Sequence, residues 1–341
     1  MPESYTEPLG QSNAFLDFQE TLSRAAEVDR PILLIGERGT GKELAAAKLH
    51  YLSQRWRGPL VALNCAALAP TLLESELFGH EEGAFTGAHQ RRTGRFEAAT
   101  EGTLFLDEIA QIPTEVQEKI LRVVEYGSFE RVGSSQPVQV DARIIGATNA
   151  DLPSLARQGR FKLDLLDRLS FDVLFVPPLR RRGEDILLLA NHFAARMAHE
   201  LGWEALPRFS RSAVARMESY PWPGNVRELR NVVERAVYRS DTPTVDELVF
   251  DPFVPPFSAS ASDGIEAQAP APSPSSPAGA PGGPDRSLED AVRELEVRMI
   301  RESLAEARYN QRQAAKALGL TYHQFRGRWR KYREELAAED E

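Results

Sequence analysis

The chain has 341 residues, enough for one large domain with a smaller partner, and its 42% hydrophobic and 27% charged residues are ordinary for a globular protein. No stretch approaches the roughly 18 to 20 apolar residues of a membrane span. The first ten residues lack the basic and apolar regions of a secretory signal, and a single cysteine, Cys65, excludes an internal disulfide. Membrane-spanning and disulfide-stabilised secreted classes are therefore excluded, and the cytoplasm is the expected compartment.

Short apolar runs alternate with longer helical patterns between residues 31 and 178. The runs cover residues 31–36, 59–63, 102–108, 142–148 and 171–176. Strands that are buried on both faces of a parallel sheet give continuous apolar runs of this kind, and crossover helices connect them. The sequence therefore predicts an α/β domain built on a parallel sheet.

The second half of the chain changes character twice. A helical pattern from residue 184 to about 240, interrupted by Pro-Trp-Pro-Gly at 221–224, predicts a small helical subdomain. Between residues 258 and 284, 23 of 27 residues are Pro, Ser, Ala or Gly, which predicts a linker because this composition buries too little apolar surface to fold. The predicted parts are an α/β subdomain at 1–180, a helical subdomain at 181–250, a linker at 251–286 and a C-terminal unit at 287–334.

Three helices are predicted in the C-terminal unit. Ser287 and Asp290 form a weak capping box at the start of the first helix. This helix has an apolar stripe at helical spacing, formed by Leu288, Val292, Leu295, Met299 and Leu304. A second helix is predicted from Gln311 to Leu318, then a turn at Gly319 and a third helix from about Thr321 to Arg333.

The segment directly after the first predicted strand fits the phosphate-binding pattern GxxxxGK. Its residues are Gly36, Glu37, Arg38, Gly39, Thr40, Gly41 and Lys42. Glycines let backbone N–H groups wrap phosphates, the following helix adds its N-terminal dipole, and Lys42 can neutralise charge on the β- and γ-phosphates. Glu43 stands where the general pattern has Ser or Thr for Mg²⁺. A glycine-rich turn is the alternative, and the position between a strand and a helix favours a nucleotide site.

An acidic pair, Asp107 and Glu108, ends the predicted strand at 102–108. An aspartate there can hold Mg²⁺, while a glutamate one residue on can orient and deprotonate the attacking water. The alternative is an ordinary polar strand end. The pair lies 65 residues after Lys42 with another predicted strand between them, and this spacing favours a site that hydrolyses ATP.

The motif GAFTGA consists of Gly83, Ala84, Phe85, Thr86, Gly87 and Ala88. Taken alone, it fits a turn around a core phenylalanine better than a working surface. Together with Glu76-Leu-Phe-Gly-His80 and a phosphate loop that includes Glu43, it resembles the bacterial activators of the alternative sigma factor sigma-54. The resemblance covers residues 9 to about 240 and 287–333. It implies a P-loop ATPase of the AAA+ type with a helical lid, followed by a Fis-type helix-turn-helix.

The resemblance also implies roles for single residues around the nucleotide. It makes Asn64 a residue that communicates with Glu108, and Arg227 the lid arginine. It makes Thr148 and Asn149 sensors of the γ-phosphate. Without the resemblance the ordinary alternatives would stand: a strand end at Asn64, a turn at 148–149, and an arginine paired with a surface carboxylate.

Two further positions correspond to arginines that, in the family, reach into the neighbouring subunit's site. Arg168 matches, whereas Lys162 departs from the pattern and lacks the planar guanidinium that makes two parallel hydrogen bonds. An arginine supplied by a neighbour makes hydrolysis depend on assembly. The resemblance implies a hexameric ring.

Basic charge is concentrated at the C-terminal end. The net charge is −9, yet residues 308–333 contain eight Lys and Arg and no Asp or Glu. Residues 310–331 resemble the Fis-type helix-turn-helix, whose recognition helix lies in the major groove while flanking basic residues neutralise phosphates. The candidate DNA-binding residues are Thr321, Tyr322, His323, Gln324, Arg326 and Arg330. A solvated basic helix is the alternative.

These features predict a sigma-54-dependent activator that binds an upstream DNA site and uses ATP and Mg²⁺ to remodel the closed promoter complex of RNA polymerase. Two alternative classes are an AAA+ motor acting on DNA, which GAFTGA disfavours, and a DNA-binding repressor with a vestigial ATP site. An intact Lys42, Asp107 and Glu108 disfavour the repressor. Eight residues precede Leu9 in the sequence, so a receiver or sensor domain is not expected there. Within the family the chain looks most like activators of phage-shock genes, which implies phage shock protein A as a negative partner, with Trp56 as its candidate contact.

Overall fold

The computed structural model describes residues 7–85, 88, 90–253, 288–307, 311–320 and 322–332. Two compact units are present, residues 1–261 and residues 262–341. The expected linker at 251–286 falls almost entirely outside the described residues. Each unit is described by itself.

A five-stranded parallel sheet forms the centre of the first unit. The strands of this unit are β1 Ile32–Ile35, β2 Leu60–Asn64, β3 Gly79–His80, β4 Arg92–Thr93, β5 Thr103–Asp107, β6 Ser128–Glu130, β7 Pro137–Gln139, β8 Arg143–Thr148, β9 Asp172–Phe175, β10 Arg208–Phe209 and β11 Thr244–Val245. The sheet order is β2-β5-β8-β1-β9, with every neighbouring pair parallel. This confirms the predicted parallel sheet and each of its five apolar strands.

Helices cover both faces of this sheet. The helices of the first unit are α1 Asn13–Ala26, α2 Lys42–Leu52, α3 Pro70–Phe78, α4 Arg95–Ala98, α5 Thr114–Tyr126, α6 Leu152–Arg157, α7 Leu163–Leu169, α8 Gly183–Glu200, α9 Arg211–Ser219 and α10 Asn225–Arg239. Ile32 and Leu34 of β1 are buried with residues of α1 and α2, whereas Leu33 belongs to the core that α3, α5 and α7 share. Because side chains alternate along a strand, a sheet covered on both faces needs apolar residues at successive positions.

Helices α8, α9 and α10 form a separate core next to the sheet. Trp222 is fully buried there and donates its indole N–H to the Met217 carbonyl oxygen at 2.8 Å. The breaker at 221–224 separates α9 from α10, as predicted. The short parallel pair β10 and β11 closes this subdomain and was not predicted.

The second unit contains three helices: α11 Leu288–Glu306, α12 Gln311–Ala317 and α13 Tyr322–Lys331. Ala314 and Ala315 are buried as expected, and Gly319 has φ +66°, the left-handed conformation that favours glycine in a turn. The predicted apolar stripe of α11 is only partly the packed face. Val297, Ile300 and Leu304 are buried, but Leu295 and Met299 are each 47% exposed.

No helix in the described part of the chain combines the length and the hydropathy that crossing a membrane requires.

Candidate functional site

The loop between β1 and α2 has the geometry of a phosphate-binding loop. The buried Lys42 begins α2, and its Nζ donates to the carbonyl oxygens of Gly36 at 2.9 Å and Glu37 at 3.3 Å. Gly39 and Gly41 have φ +78° and +98°, which L side chains rarely adopt. The loop therefore places backbone N–H groups, the N-terminus of α2 and one ammonium group together at the end of the strand.

Two carboxylates lie at the end of the neighbouring part of the sheet. Asp107 is the last residue of β5 and lies in register with Asn64, the last residue of β2. Glu108 follows Asp107, and its side chain is half-buried. Glu108 has φ +53° and ψ +47°, a left-handed conformation that costs a residue with a Cβ on the order of 1 kcal/mol or more. The carboxyl ends of parallel strands are where ligands bind in sheets of this kind, and Asp107 and Glu108 both lie there.

Asn64 contacts a different carboxylate from the one expected. Its Nδ2 lies 3.4 Å from Asp107 Oδ2, a long hydrogen bond, and its Oδ1 accepts from the Ala66 backbone N–H at 2.9 Å. Glu108 is not among its partners. In this structure Asn64 both ends a strand and caps the short turn that follows, with Asp107 as its acidic neighbour.

Positive and negative groups are balanced around the loop. Burial lowers the pKa of Lys42, while Glu108 and Asp107 oppose this shift and Arg227 and Arg38 reinforce it. Within the described residues neither Arg38 nor Arg227 has a carboxylate partner in a salt bridge. Three cationic side chains thus surround the loop, an arrangement suited to a polyphosphate.

The two residues expected to sense the γ-phosphate end β8. The backbone carbonyl of Thr148 accepts from the Gly36 N–H at 3.1 Å, so this strand is joined to the phosphate loop. The Thr148 side chain is buried, and its hydroxyl oxygen accepts from the Ala150 N–H at 3.0 Å. Asn149 is exposed at the same sheet edge.

Mg²⁺ requires few protein ligands when a nucleotide supplies phosphate oxygens. The described residues contain no cluster of three or more His, Cys, Asp or Glu suited to a metal. Mg²⁺ is usually held by one or two carboxylates together with phosphates and water. Asp107, with Glu108 beside it, meets that requirement. Glu43, the residue in the position of the usual hydroxyl ligand, is exposed on the first turn of α2.

The helical subdomain contacts the phosphate loop directly. Asn225, at the start of α10, is fully buried and donates from Nδ2 to Glu37 Oε2 at 3.1 Å. Arg180 donates to both carboxylate oxygens of Glu37, at 2.7 and 2.5 Å. Sequence reasoning identified Glu37 and Arg227 but missed Arg180 and Asn225. Asn225 directly follows the breaker at 221–224, which predicted a boundary between helices but not this contact.

Arg168 and Lys162 do not reach the phosphate loop of their own chain. Arg168 lies on α7 and donates from Nε to Glu125 of α5 at 3.0 Å. Lys162 precedes α7 and forms a salt bridge of 2.6 Å with Glu118, also on α5. Both basic residues are therefore arranged along α7 and α5, and both are held by carboxylates of the same chain.

The described part of GAFTGA lies between β3 and β4, which pair antiparallel. The Phe85 side chain is 43% exposed, and its ring packs edge-on against the buried His80 ring, with 5.0 Å between the ring centroids. The Gly83 N–H donates to the Ala88 carbonyl at 2.8 Å and the Ala84 N–H to the Glu81 carbonyl at 3.2 Å. Thr86 and Gly87 lie outside the described residues.

Trp56 is half exposed, at 51%, in the turn between α2 and β2. The Arg57 guanidinium lies over its ring, 4.9 Å from the centroid. Arg55 points elsewhere and binds Asp29 and Asp141, with shortest distances of 2.7 and 2.6 Å. The turn is thus fixed to the domain by Arg55 while it presents the Trp56 ring.

The C-terminal helices show part of the expected DNA-binding surface. Arg326 is exposed on α13. Tyr332, directly after α13, donates from its hydroxyl to Glu296 of α11 at 2.6 Å. Thr321, together with the side chains of Tyr322, His323, Gln324 and Arg330, lies outside the part that the structure describes.

Comparison with known proteins places this geometry in a family. Residues 9–174 match the sigma-54 interaction domain, residues 180–262 the AAA+ ATPase lid domain, and residues 291–332 the Fis family of bacterial regulatory proteins. The Psp operon transcriptional activator of Escherichia coli (strain K12) is 51% identical, over 95% of this chain and 97% of that protein. The regulatory protein AtoC of the same strain is 42% identical, over 92% of this chain and 65% of its own length.

A solved structure agrees with these matches. NtrX from Brucella abortus in complex with ATP has a TM-score of 0.66 and 32% identity, over 96% of this chain and 69% of that chain. The chain belongs to the family of sigma-54-dependent transcription activators, with an AAA+ ATPase domain, its lid and a Fis-type DNA-binding unit. Within that family it is similar to the activator of the Psp operon.

Proposed function

We propose that this protein hydrolyses ATP to remodel the closed promoter complex formed by sigma-54 RNA polymerase, through the segment that contains GAFTGA. The observation that carries the proposal is one compact unit containing both a complete phosphate loop with its acidic pair and an aromatic side chain, Phe85, exposed at the β3–β4 connection. ATP hydrolysis at the phosphate loop can then move the surface that contains Phe85.

The side chains at the sheet edge divide the chemistry between them. Gly36, Thr40, Gly41 and the rest of the loop bind the phosphates through backbone N–H groups, and Lys42 neutralises their charge. Asp107 would hold Mg²⁺, which would neutralise charge on the phosphates.

Glu108 takes the proton of the attacking water, which its place beside Asp107 supports. Asn64 orients the acidic pair. Thr148 and Asn149 report on the γ-phosphate from the end of β8, and Arg227 contacts the nucleotide from the lid. Arg38 and Arg227, which have no carboxylate partner within the described residues, support a polyphosphate ligand because guanidinium groups pair well with phosphate oxygens.

We infer a hexameric ring in which Arg168 and Lys162 reach the site of the neighbouring subunit. Arg168 is exposed, and its ion-pair partner is Glu125 of α5 rather than a residue of its own phosphate loop. A donor supplied in trans stabilises charge that develops during phosphoryl transfer. Lys162 supplies a point charge in the same region rather than a bidentate donor.

The Fis-type unit would bind an upstream DNA site of phage-shock genes. Thr321, His323, Gln324 and neighbouring residues of α13 would enter the major groove. Bound there, the unit raises the local concentration of the ATPase near the promoter.

Phage shock protein A is the proposed negative partner, with Trp56 as its contact. The exposed ring and the Arg55 salt bridges that hold its turn support a preformed interface contact. Trp56→Ala should leave basal ATPase activity intact and abolish inhibition by that partner. Inhibition that persists in a folded Trp56→Ala protein would contradict this contact.

Transcription in vitro tests the whole proposal. Purified RNA polymerase carrying sigma-54 should yield transcripts that require this protein and hydrolysable ATP, whereas polymerase carrying another sigma factor should not respond. DNA unwinding by the protein without polymerase would instead favour a motor acting on DNA.

A further inference from the structure

The start of lid helix α10 is fastened to the phosphate loop by a buried asparagine. Asn225 accepts from the Leu179 N–H with Oδ1 at 2.8 Å and donates from Nδ2 to Glu37 Oε2 and to the Arg38 carbonyl, both at 3.1 Å. Its φ is +51°, and asparagine is among the few residues with a Cβ that accept this conformation readily. One side chain thus joins the lid, the segment before the lid and the phosphate loop.

Backbone groups make the same connection. The Gly39 carbonyl accepts from the N–H groups of Val226 at 3.0 Å and Arg227 at 3.4 Å, which are among the first-turn donors that a helix leaves unpaired. No side chain caps this end of α10. A Cβ at Gly39 would lie 2.3 Å from the Gly224 carbonyl oxygen, so only glycine permits this approach. The phosphate loop therefore caps the lid helix.

Glu37 completes the contact as a charged group. Hydrogen bonds from Arg180, and then from Asn225, lower its pKa from 4.5 to about 2, so it stays ionised at neutral pH. Arg180 is the first residue of the region that matches the lid domain, and Asn225 lies on lid helix α10. Arg180 donates to both oxygens of the Glu37 carboxylate, which restricts its orientation, and Asn225 donates to one of them. Glu37, Arg180 and Asn225 are called the lid clamp below.

We propose that the lid clamp positions Arg227, so that the side chains of Asn225 and Glu37 act on ATP turnover without touching the phosphates. Arg227 follows Asn225 by two residues on the same helical turn, and its Cβ lies 3.0 Å from where a Cβ of Gly39 would be. Its side chain has no carboxylate partner in the described part of the chain. The position of the start of α10 therefore determines where the Arg227 guanidinium points. A shift of the phosphate loop would move the start of α10 and that guanidinium with it. This inference rests on the proposed ATPase function.

A double-mutant cycle tests whether Asn225 acts through Arg227. Asn225→Gly keeps the backbone conformation and removes both hydrogen-bonding groups; it should lower kcat about tenfold, as expected for lost buried hydrogen bonds to a charged group. Arg227→Ala should lower kcat at least as much. Combined, the two changes should cost no more than Arg227→Ala alone, because residues that act as a unit are non-additive. Multiplying effects would overturn the proposal.

A second pair of variants exchanges the amide and the carboxylate between positions 225 and 37. Asn225→Asp places a carboxylate beside that of Glu37 and should impair turnover about tenfold; adding Glu37→Gln returns an amide donor to the pair and should restore part of the loss. Absence of any recovery would count against the clamp. Ser210→Ala is the matched control, since Ser210 caps α9 of the same lid through the Ala213 N–H and has no contact with the phosphate loop. Its turnover should equal that of the parent.

Affinity for ATP, measured by calorimetry in the same variants, separates the clamp from the proposed function. A parent protein that binds ATP but does not hydrolyse it would contradict the ATPase function alone. In that case non-additive binding free energies for Asn225→Gly and Arg227→Ala would still support the clamp, and additive ones would overturn it.

Discussion

The backbone of Glu108 is the most informative single-residue feature of the site. A left-handed conformation at a residue with a Cβ costs free energy, and such strain persists where the surrounding structure enforces it, often at functional sites. The buried β5 holds the chain on one side, and the buried Ile109 holds it on the other. The strain directs the Glu108 side chain away from the path of the strand, separately from Asp107.

Substitutions of Asp107 and of Glu108 should therefore have different effects on ATP binding and ATP hydrolysis. Glu108→Gln keeps the shape of the side chain and removes the base, so the protein should bind ATP with nearly parental affinity and hydrolyse it at least about 100-fold more slowly, the usual contribution of a general base. Calorimetry measures binding and phosphate release measures hydrolysis. Loss of ATP binding as severe as in Lys42→Ala would show that Glu108 has another role.

A buried histidine at the opposite end of the sheet makes stability depend on pH. His50 is almost fully buried, with Nδ1 2.9 Å from the Thr103 hydroxyl. Burial lowers its pKa below 6.5, and a hydrogen bond with the Gly58 backbone opposes that shift only partly. The unfolded chain therefore binds a proton more readily than the folded chain. The stabilisation is complete above pH 6.5 and is lost as the pH falls below it, by at most about 1.4 kcal/mol per pH unit.

His50→Gln removes this titration. Between pH 7.5 and 5.5 the thermal midpoint of the parent should fall further than that of His50→Gln. His199→Gln changes an exposed histidine on α8 and should behave as the parent does. Equal pH dependence in all three proteins would show that His50 binds a proton equally well in the folded and unfolded chains.

Residue types and spacing predicted where the candidate site residues lie in the fold better than which contacts they make. Lys42 and Asp107 lie where the pattern placed them, because the ends of parallel strands meet at one edge of a sheet. Asn64 contacts Asp107 rather than Glu108, since register pairs the last residues of β2 and β5. Asn225 was missed because its function depends on a contact 188 residues distant in sequence, which local patterns do not encode.

At the level of elements, the strands with long apolar runs were predictable from the sequence. Very short strands, and the buried face of a helix with two apolar faces, were not. The two-residue strands β3 and β4 have no periodicity to detect. In α11 the residues Leu295 and Met299 fit helical spacing, but so do Val297, Ile300 and Leu304. Packing against α12 and α13 selected the second set. Periodicity thus predicts a helix more securely than it predicts which of two apolar faces is buried.

The prediction about assembly concerns an ion pair between helices α5 and α7. Arg168 is held by Glu125 across these helices, a largely exposed ion pair worth roughly 0 to 1 kcal/mol that a neighbouring site can replace. Arg168→Ala and Lys42→Ala subunits should each be inactive alone. Mixed together they should regain part of the parental ATPase activity, because some interfaces combine an intact phosphate loop with an intact arginine.

Glu125→Gln is the control for this experiment, since it removes the partner of Arg168 and leaves the arginine. It should retain ATPase activity. Mixed assemblies that are demonstrated by mass spectrometry but show no recovered hydrolysis would mean that Arg168 does not act in trans.

At the scale of the whole molecule, the ATPase and the DNA-binding helices form separate units. The core of α11, α12 and α13 is self-contained, and the ATPase unit has its own sheet core and lid core. The fold class of both units was predictable because each one follows a strong local pattern. Separate cores predict that the two activities can be separated.

A protein truncated near Phe257 should keep its ATPase activity and, at high concentration, activate a sigma-54 promoter that lacks the upstream site. DNA binding mainly raises the local concentration of the ATPase near the promoter, and excess protein can replace an effect of this kind. Transcription is measured against protein concentration for both lengths of chain. The full-length protein should need far less protein, but only on templates that contain the upstream site.

Thr86→Ala in the same truncated protein tests which surface does the work. ATP hydrolysis should stay close to that of the truncated parent because the GAFTGA segment, at the β3–β4 connection, lies outside the phosphate loop and the acidic pair. Promoter opening should fail, because the segment acts on the sigma factor. Permanganate footprinting of the promoter measures opening independently of transcript yield. Opening equal to that of the truncated parent would mean that GAFTGA is not the working surface, and would favour a motor that acts on DNA.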